Sequence, residues 1–241
     1  MTRAELDARH PELDAAAGDS MTVAGWTLIS RVTGFAKVAA IGAVLGPTFF
    51  GNAYQFINSL PNFIYFGFLA GSLFSSLLVP ALVQHIDTGD RAASERVAGG
   101  FLGLSLAALV IAVPVAIALG PLVLRISSGA SGIGAAQEQI ARLLILMVLP
   151  QLFLYGVVGA ASAAMNARQR FALAAAAPAV ENVATVGVLV SCALTFGVSS
   201  SIGTVPRGEL VLLGLGSTGA VALHALVQWC GARHAGVTLV P

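Results

Sequence analysis

Two basic side chains, Arg31 and Lys37, stand in the stretch SRVTGFAKVAA, residues 30–40, between the apolar runs VAGWTLI and IGAVLG. A charged side chain at the centre of a membrane-spanning helix costs about 2.5–3.5 kcal/mol on insertion scales, so the fold must offset that cost. Arg and Lys are the usual binders of phosphate and carboxylate, which makes the chemistry here either anion recognition or ion pairing. The one carboxylate deep in an apolar segment is Glu181. One acid cannot neutralise two cations, and the surplus positive charge points to a hydrated cavity or an anionic ligand such as phosphate. The alternative is that each cation meets a carboxylate or helix-end carbonyls and only ties helices together. Both readings stand at this point.

A second polar set lies further on. Asn52, Gln55, Ser59 and Asn62 fall at i, i+3, i+7 and i+10, one face of a helix, with Asn58 beside that face. Such groups act either as interhelical glue, at about 0.6 kcal/mol each on average, or as hydrogen-bond partners of a polar ligand. Beside Glu181 stands Asn182, and an acid and amide there could serve as an ion or proton coupling site. His224 is expected to be packed and hydrogen-bonded, because no Cys, His or acid lies at metal-ligand spacing near it. The small-residue pairs Gly67/Gly71 and Gly216/Ala220 point to close helix packing.

The elements that position these residues follow from composition. Of 241 residues, 57% are hydrophobic and only 10% charged, with a mean hydropathy of +0.88; a soluble domain carries about 25% charged residues. A span needs roughly 20 mostly apolar residues, and six windows qualify, at about 23–46, 53–84, 98–124, 139–165, 171–197 and 209–230. Backbone polar groups in lipid must be satisfied internally, and segments this long achieve that as helices. The expected fold is an all-α polytopic membrane protein, a six-transmembrane-helix bundle. The second window, with Pro61 and Pro80, predicts a bent or tilted helix. Counted from Val23 at about 1.5 Å per residue, Arg31 lies roughly 12 Å deep and Lys37 roughly 21 Å, offset by about 120° around the helix. They can flank one broad cavity but not share one narrow stripe.

Residues 1–22 read as a polar, acidic tail, disordered or loosely helical, ahead of a lobe covering 23–241. The tail lacks the basic start and short apolar core of a cleavable signal peptide. Cys192 and Cys230 both sit in apolar segments and suggest no disulfide framework. With the N-terminus in the cytoplasm, Arg3, Arg9, Arg91, Arg96, Arg168, Arg170 and Arg233 fall inside and Arg125, Arg142 and Arg207 outside, which favours both termini cytoplasmic. There is no phosphate loop, GxSxG elbow, HExxH or pair of carboxylates on one face of a span, so catalysis is the weaker hypothesis, and neither a cofactor nor a metal is expected. The acids Asp87, Asp90 and Glu95 read as a solvated turn, and nucleic acid is not an expected partner.

Three separated stretches resemble a known family. TLISRVTGFAKVAAIGAVLGP, 27–47, is similar to a first span with an S-R-x-x-G-F-x-[RK] core; NAYQFINSLPNFIYFGFLAGSLFSSLLVPALV, 52–83, is similar to an LPN segment with a small-residue run and closing V-P; GAASAAMNARQRFALAAAAPAVEN, 159–182, resembles N-x-x-x-R-F followed by A-P-x-x-x-N. Together they resemble the MurJ/MviN lipid II flippases of the multidrug/oligosaccharidyl-lipid/polysaccharide exporter superfamily. The resemblance implies a flippase that moves lipid-linked peptidoglycan precursor across the cytoplasmic membrane by alternating access. It further implies two six-helix lobes around a cationic cavity, plus two more helices, of which this chain looks like the first lobe.

Half a rocking-bundle transporter cannot alternate alone, so a second lobe, self-association or a separate partner is expected. By the same resemblance Arg31 and Lys37 meet the substrate's pyrophosphate, a polyprenyl pyrophosphate glycan among membrane lipids, with Asn52, Gln55, Ser59 and Asn62 as further substrate contacts. This chain departs from the pattern at Asn52, where relatives often carry aspartate, at Tyr65 and Phe66, where they place arginine or glutamate, and at Glu181. Two other functions remain in play. One is a cation-coupled small-molecule or polysaccharide exporter of the same superfamily, with Glu181 as the ion or proton site. The other is a non-transporting scaffold for cell-wall synthesis.

Overall fold

The computed structural model describes residues 3–65, 77–127, 135–198 and 205–239. Among them the elements are all helical: α1 (Arg3–Leu45), α2 (Phe49–Ile64), α3 (Val79–Asp87), α4 (Arg91–Ser127), α5 (Ala135–Val148), α6 (Pro150–Ala167), α7 (Phe171–Phe196) and α8 (Arg207–His234). The molecule is a polytopic bundle of membrane helices. Among the described residues four stretches are long and apolar enough to cross a bilayer: Ser20–Leu45, Gln137–Ala167, Phe171–Phe196 and Arg207–His234. The second expected span is represented by α2 and α3, and its GxxxG at Gly67 and Gly71, like Phe66, lies outside the described residues. The polar N-terminal segment is helical as well, continuous with the first span from Arg3 onward.

Helix boundaries follow local chemistry. Gly46, at φ 68°, closes α1, and the Thr48 side chain caps α2 by accepting the Gly51 N–H at 3.0 Å. Asp90 Oδ1 accepts the Ala93 N–H at 2.9 Å, so this acid caps α4 rather than simply facing solvent. Pro150 divides the fourth span. It has no N–H to donate to the preceding turn, α6 starts at it, and Thr218 of α8 donates to the Met147 carbonyl next to the break at 2.7 Å.

Two apolar clusters make the core. One joins the alanine-rich face of α6 to α8, α4 and α3; the other joins the end of α1 to α2, α5, α7 and α8 through residues such as Phe50, Tyr54, Leu144 and Leu213. Glycines allow the closest approaches. A Cβ on Gly216 would meet Val188 of α7 at 2.6 Å, and one on Gly214 would meet Met147 at 2.6 Å. At Gly159 of α6 that space is occupied by the Tyr65 hydroxyl. α1 sits at the edge of the bundle and packs chiefly along α7, leaving large side chains such as Phe35 and Leu28 exposed.

Candidate functional site

Beside the α1–α7 seam a cavity of about 610 Å³ opens, lined by Arg31 and Lys37 of α1, Asn62 of α2, Tyr155 of α6, Glu181 and Asn182 of α7, and His224 of α8. The 120° offset of the two cations is accommodated by the width of this cavity, as their spacing allows. The two cations differ in their partners. Lys37 Nζ lies 3.7 Å from Glu181 Oε1. Arg31 is exposed on the cavity side of α1, and among the described residues it has no ion pair or side-chain hydrogen bond. Taking Lys37 against Glu181, the cavity keeps one uncompensated positive charge at Arg31.

Glu181 is the hub of the cluster. Its Oε1 accepts the Tyr155 hydroxyl at 3.1 Å, and its Oε2 stands 2.8 Å from His224 Nδ1. A carboxylate at this depth is tolerable because it is so fully partnered. The Tyr155 ring stacks on Tyr65 with centroids 5.7 Å apart, which fixes the hydroxyl's position. His224 is 4% exposed, and its Nε2 has no hydrogen-bond partner. It is packed and hydrogen-bonded as its apolar setting predicts, but its partner is an acid from another helix, which no local spacing displays. Tyr155 was not among the expected site residues.

Asn182 performs a different task. Its Nδ2 donates to the Ser30 carbonyl at 3.2 Å and to Thr33 Oγ1 at 3.3 Å, so it clamps α1 to α7 at the wall of the cavity. The polar face of α2 is divided. Asn62 reaches the cavity, whereas Asn52, Gln55 and Ser59 do not line it; Asn52 and Gln55 are exposed, on the side of α2 away from its buried Phe50, Tyr54 and Ile57. Asn58 is glue: its Oδ1 accepts from Gln151 Nε2 at 3.3 Å, and the same nitrogen donates to Thr218 Oγ1 at 3.2 Å. Among the described residues no group of three His, Cys, Asp or Glu side chains converges as a metal site would require.

A family model, Lipid II flippase MurJ, matches residues 41–241. The chain belongs to the MurJ lipid II flippase family. Among its relatives, the Lipid II flippase MurJ of Burkholderia cenocepacia is 27% identical over 228 residues, covering 91% of this chain and 44% of that protein. The Probable lipid II flippase MurJ of Vibrio cholerae serotype O1 is 28% identical over 172 residues, 67% of this chain and 32% of the relative. The chain therefore spans less than half the length of the curated relatives it matches. Arg31 and Lys37 precede the part matched by the family model.

Proposed function

We propose that this chain is a six-helix lobe of a lipid-linked oligosaccharide flippase in the cytoplasmic membrane, with both termini in the cytoplasm, and that the Arg31–Lys37 cavity receives the pyrophosphate of a polyprenyl-linked glycan of the lipid II type. The observation that carries the proposal is that two cations from one span meet on one open cavity while the available acid compensates only one of them. An anionic headgroup entering there finds Arg31 without a competing partner and can draw Lys37 away from Glu181, a charge-assisted exchange in a setting poorer in water than the bulk. Asn62 supplies an amide for the sugar or phosphate. The glycan need not enter a deep pocket, because the exposed face of α1 leaves the cavity open along the side where a facing lobe belongs.

Alternating access needs that facing lobe, in the form of further chain, a second copy or a separate partner. In this mechanism α1 and α7, joined by Asn182, move as a pair against it. Transport is the role and no bond is broken, so Glu181 and His224 act as charge-setting groups rather than as acid and base of a reaction. The test is binding of a polyprenyl pyrophosphate disaccharide to the chain reconstituted in nanodiscs, wild type against Arg31→Ala/Lys37→Ala. Loss of binding with an unchanged unfolding midpoint supports the role; equal binding refutes it.

A second reading is favoured by one specific observation, the convergence of Lys37, Tyr155 and His224 on Glu181. A buried acid held by three partners suits cation- or proton-coupled export of another substrate. Transport indifferent to Glu181→Gln excludes that reading and leaves the first intact.

A further inference from the structure

A second cavity, of about 680 Å³, opens at the connection between α6 and α7, where Arg168, Gln169 and Arg170 meet the last turn of α8 at His234 and the wall of α1 at Thr22 and Val23. Like the first cavity, it draws its lining from α1, α6, α7 and α8. Its lining carries two arginines and a histidine and, among the described residues, no carboxylate. Arg168 Nε is buried with no hydrogen-bond partner, and neither arginine is in an ion pair among the described residues. A donor desolvated and left open in this way calls for an acceptor.

The backbone adds to the positive field. Arg170 is the N-cap of α7, and no side chain caps that end; Phe171 and Ala172, whose N–H groups begin this 26-residue helix, line the cavity. The start of such a helix attracts anions. The opposing negative poles are closed off. At the end of α8 the carbonyls of Gly231, Ala232 and Arg233 accept from Ala235, Val237 and Gly236, and at the end of α6 those of Ala164, Met165 and Asn166 accept from residues 168–170. Gln169 holds a left-handed φ of 57°, in a turn position that glycine usually fills, and this turn places Arg168 and Arg170 on the same cavity.

Depth decides what kind of anion fits. Residues 168–170 fall between the spans Gln137–Ala167 and Phe171–Phe196, at the level of lipid headgroups, while Val23, Met165 and Leu173 give the cavity an apolar wall. Gly231 makes that wall compact, since a Cβ there would meet Leu173 at 2.5 Å and Met165 at 2.6 Å. We infer that the α6–α7 connection is a phosphate-binding site at the membrane face, filled by the phosphate ester of an anionic membrane lipid whose chain lies along Val23 and Leu173.

The inference does not rest on the transport reading, and the experiment separates the two. The full chain in phosphatidylcholine nanodiscs is titrated with short-chain phosphatidylglycerol, and in a parallel arm with inorganic phosphate, bound probe being counted by native mass spectrometry. Arg168→Gln/Arg170→Gln is expected to weaken phosphatidylglycerol binding at least roughly tenfold, while Arg207→Gln, at an exposed arginine that lines neither cavity, leaves it unchanged. Inorganic phosphate that competes at matching concentration assigns the bound phosphate to the free pool; competition only at far higher concentration assigns it to lipid, and either outcome upholds a phosphate site. Should the double variant fail to fold, Arg170→Gln alone, altering an exposed side chain, is expected to weaken binding severalfold. A folded variant that binds like wild type, or a wild type that binds neither probe, overturns the site.

Discussion

Two polar clusters are buried in this bundle, and they are built to opposite ends. In the first, Tyr54 of α2 meets Ser217 of α8 at 2.6 Å, and Gln151 of α6 joins Asn58 of α2 to Thr218 of α8. These groups are neutral, and Tyr54, Gln151 and Ser217 are essentially without solvent access. In the second, Glu181 gathers Lys37, His224 and Tyr155 at the wall of an open cavity, with Arg31 beside them. Neutral groups that pair across three helices suit a permanent contact between them, even with Gln151 Oε1 left buried and unpartnered. A cluster with one more positive charge than its acid offsets leaves that charge facing the cavity, and the proposed anion site rests on this feature. Position in a span does not separate these cases, and both clusters draw on α6 and α8; net charge and access to the cavity separate them.

The sharpest way to break this contrast is to remove the charge from the open cluster. Arg31→Ala is expected to lower affinity for a polyprenyl pyrophosphate glycan by roughly tenfold or more, from one charge-assisted contact at about 1.5–3 kcal/mol, with the thermal unfolding midpoint in detergent nearly unmoved, because this side chain is exposed and unpaired among the described residues. A midpoint that falls along with the affinity would show the open cluster to be structural too. Crowding the sealed side has the opposite signature. Gly214→Val drives a side chain into Met147 and is expected to cost about 1–3 kcal/mol of stability, read by denaturation in mixed micelles, while the folded fraction binds glycan normally.

Smaller changes refine the distinction. Glu181→Gln retains a partner for Tyr155 and His224 but frees Lys37 from its counter-charge, so glycan affinity is expected to rise by about fivefold, near 1 kcal/mol at these separations; an affinity that falls would mean that Glu181 holds Lys37 in its working position. Tyr54→Phe, in the sealed cluster, is expected to lower stability by only about 0.6 kcal/mol and to leave binding unchanged.

Much of this architecture is legible in the sequence. Four of the six expected spans match described stretches long and apolar enough to cross a bilayer, and helix ends fall at Gly46, Thr48 and Pro150. The two cations advertise themselves, since a charge so deep in an apolar run has few reasons to exist, and the arithmetic of one acid against two cations anticipates the unpartnered Arg31. The allocation of the α2 amides is not legible. Asn52, Gln55, Ser59 and Asn62 do share a face, but packing of Phe50, Tyr54 and Ile57 into the core sets the rotation of α2 and leaves only Asn62 at the cavity. Tyr155 and His224 lie 26 and 43 residues from Glu181; their convergence depends on α6, α7 and α8 being mutual neighbours, which no local pattern encodes. Asn182 illustrates the converse. Its neighbour is the hub of the site, yet one residue further round the helix its own amide faces α1 and serves as a clamp.

The Tyr65 ring, set in the notch that Gly159 leaves on α6, couples the second and fourth spans like a pawl in a toothed wheel. Sliding or turning α2 relative to α6 requires the ring to lift out first, and any side chain at 159 larger than hydrogen would hold it out. The two positions should therefore vary together through evolution: sequences that gain bulk at the notch are expected to lose the aromatic ring opposite it.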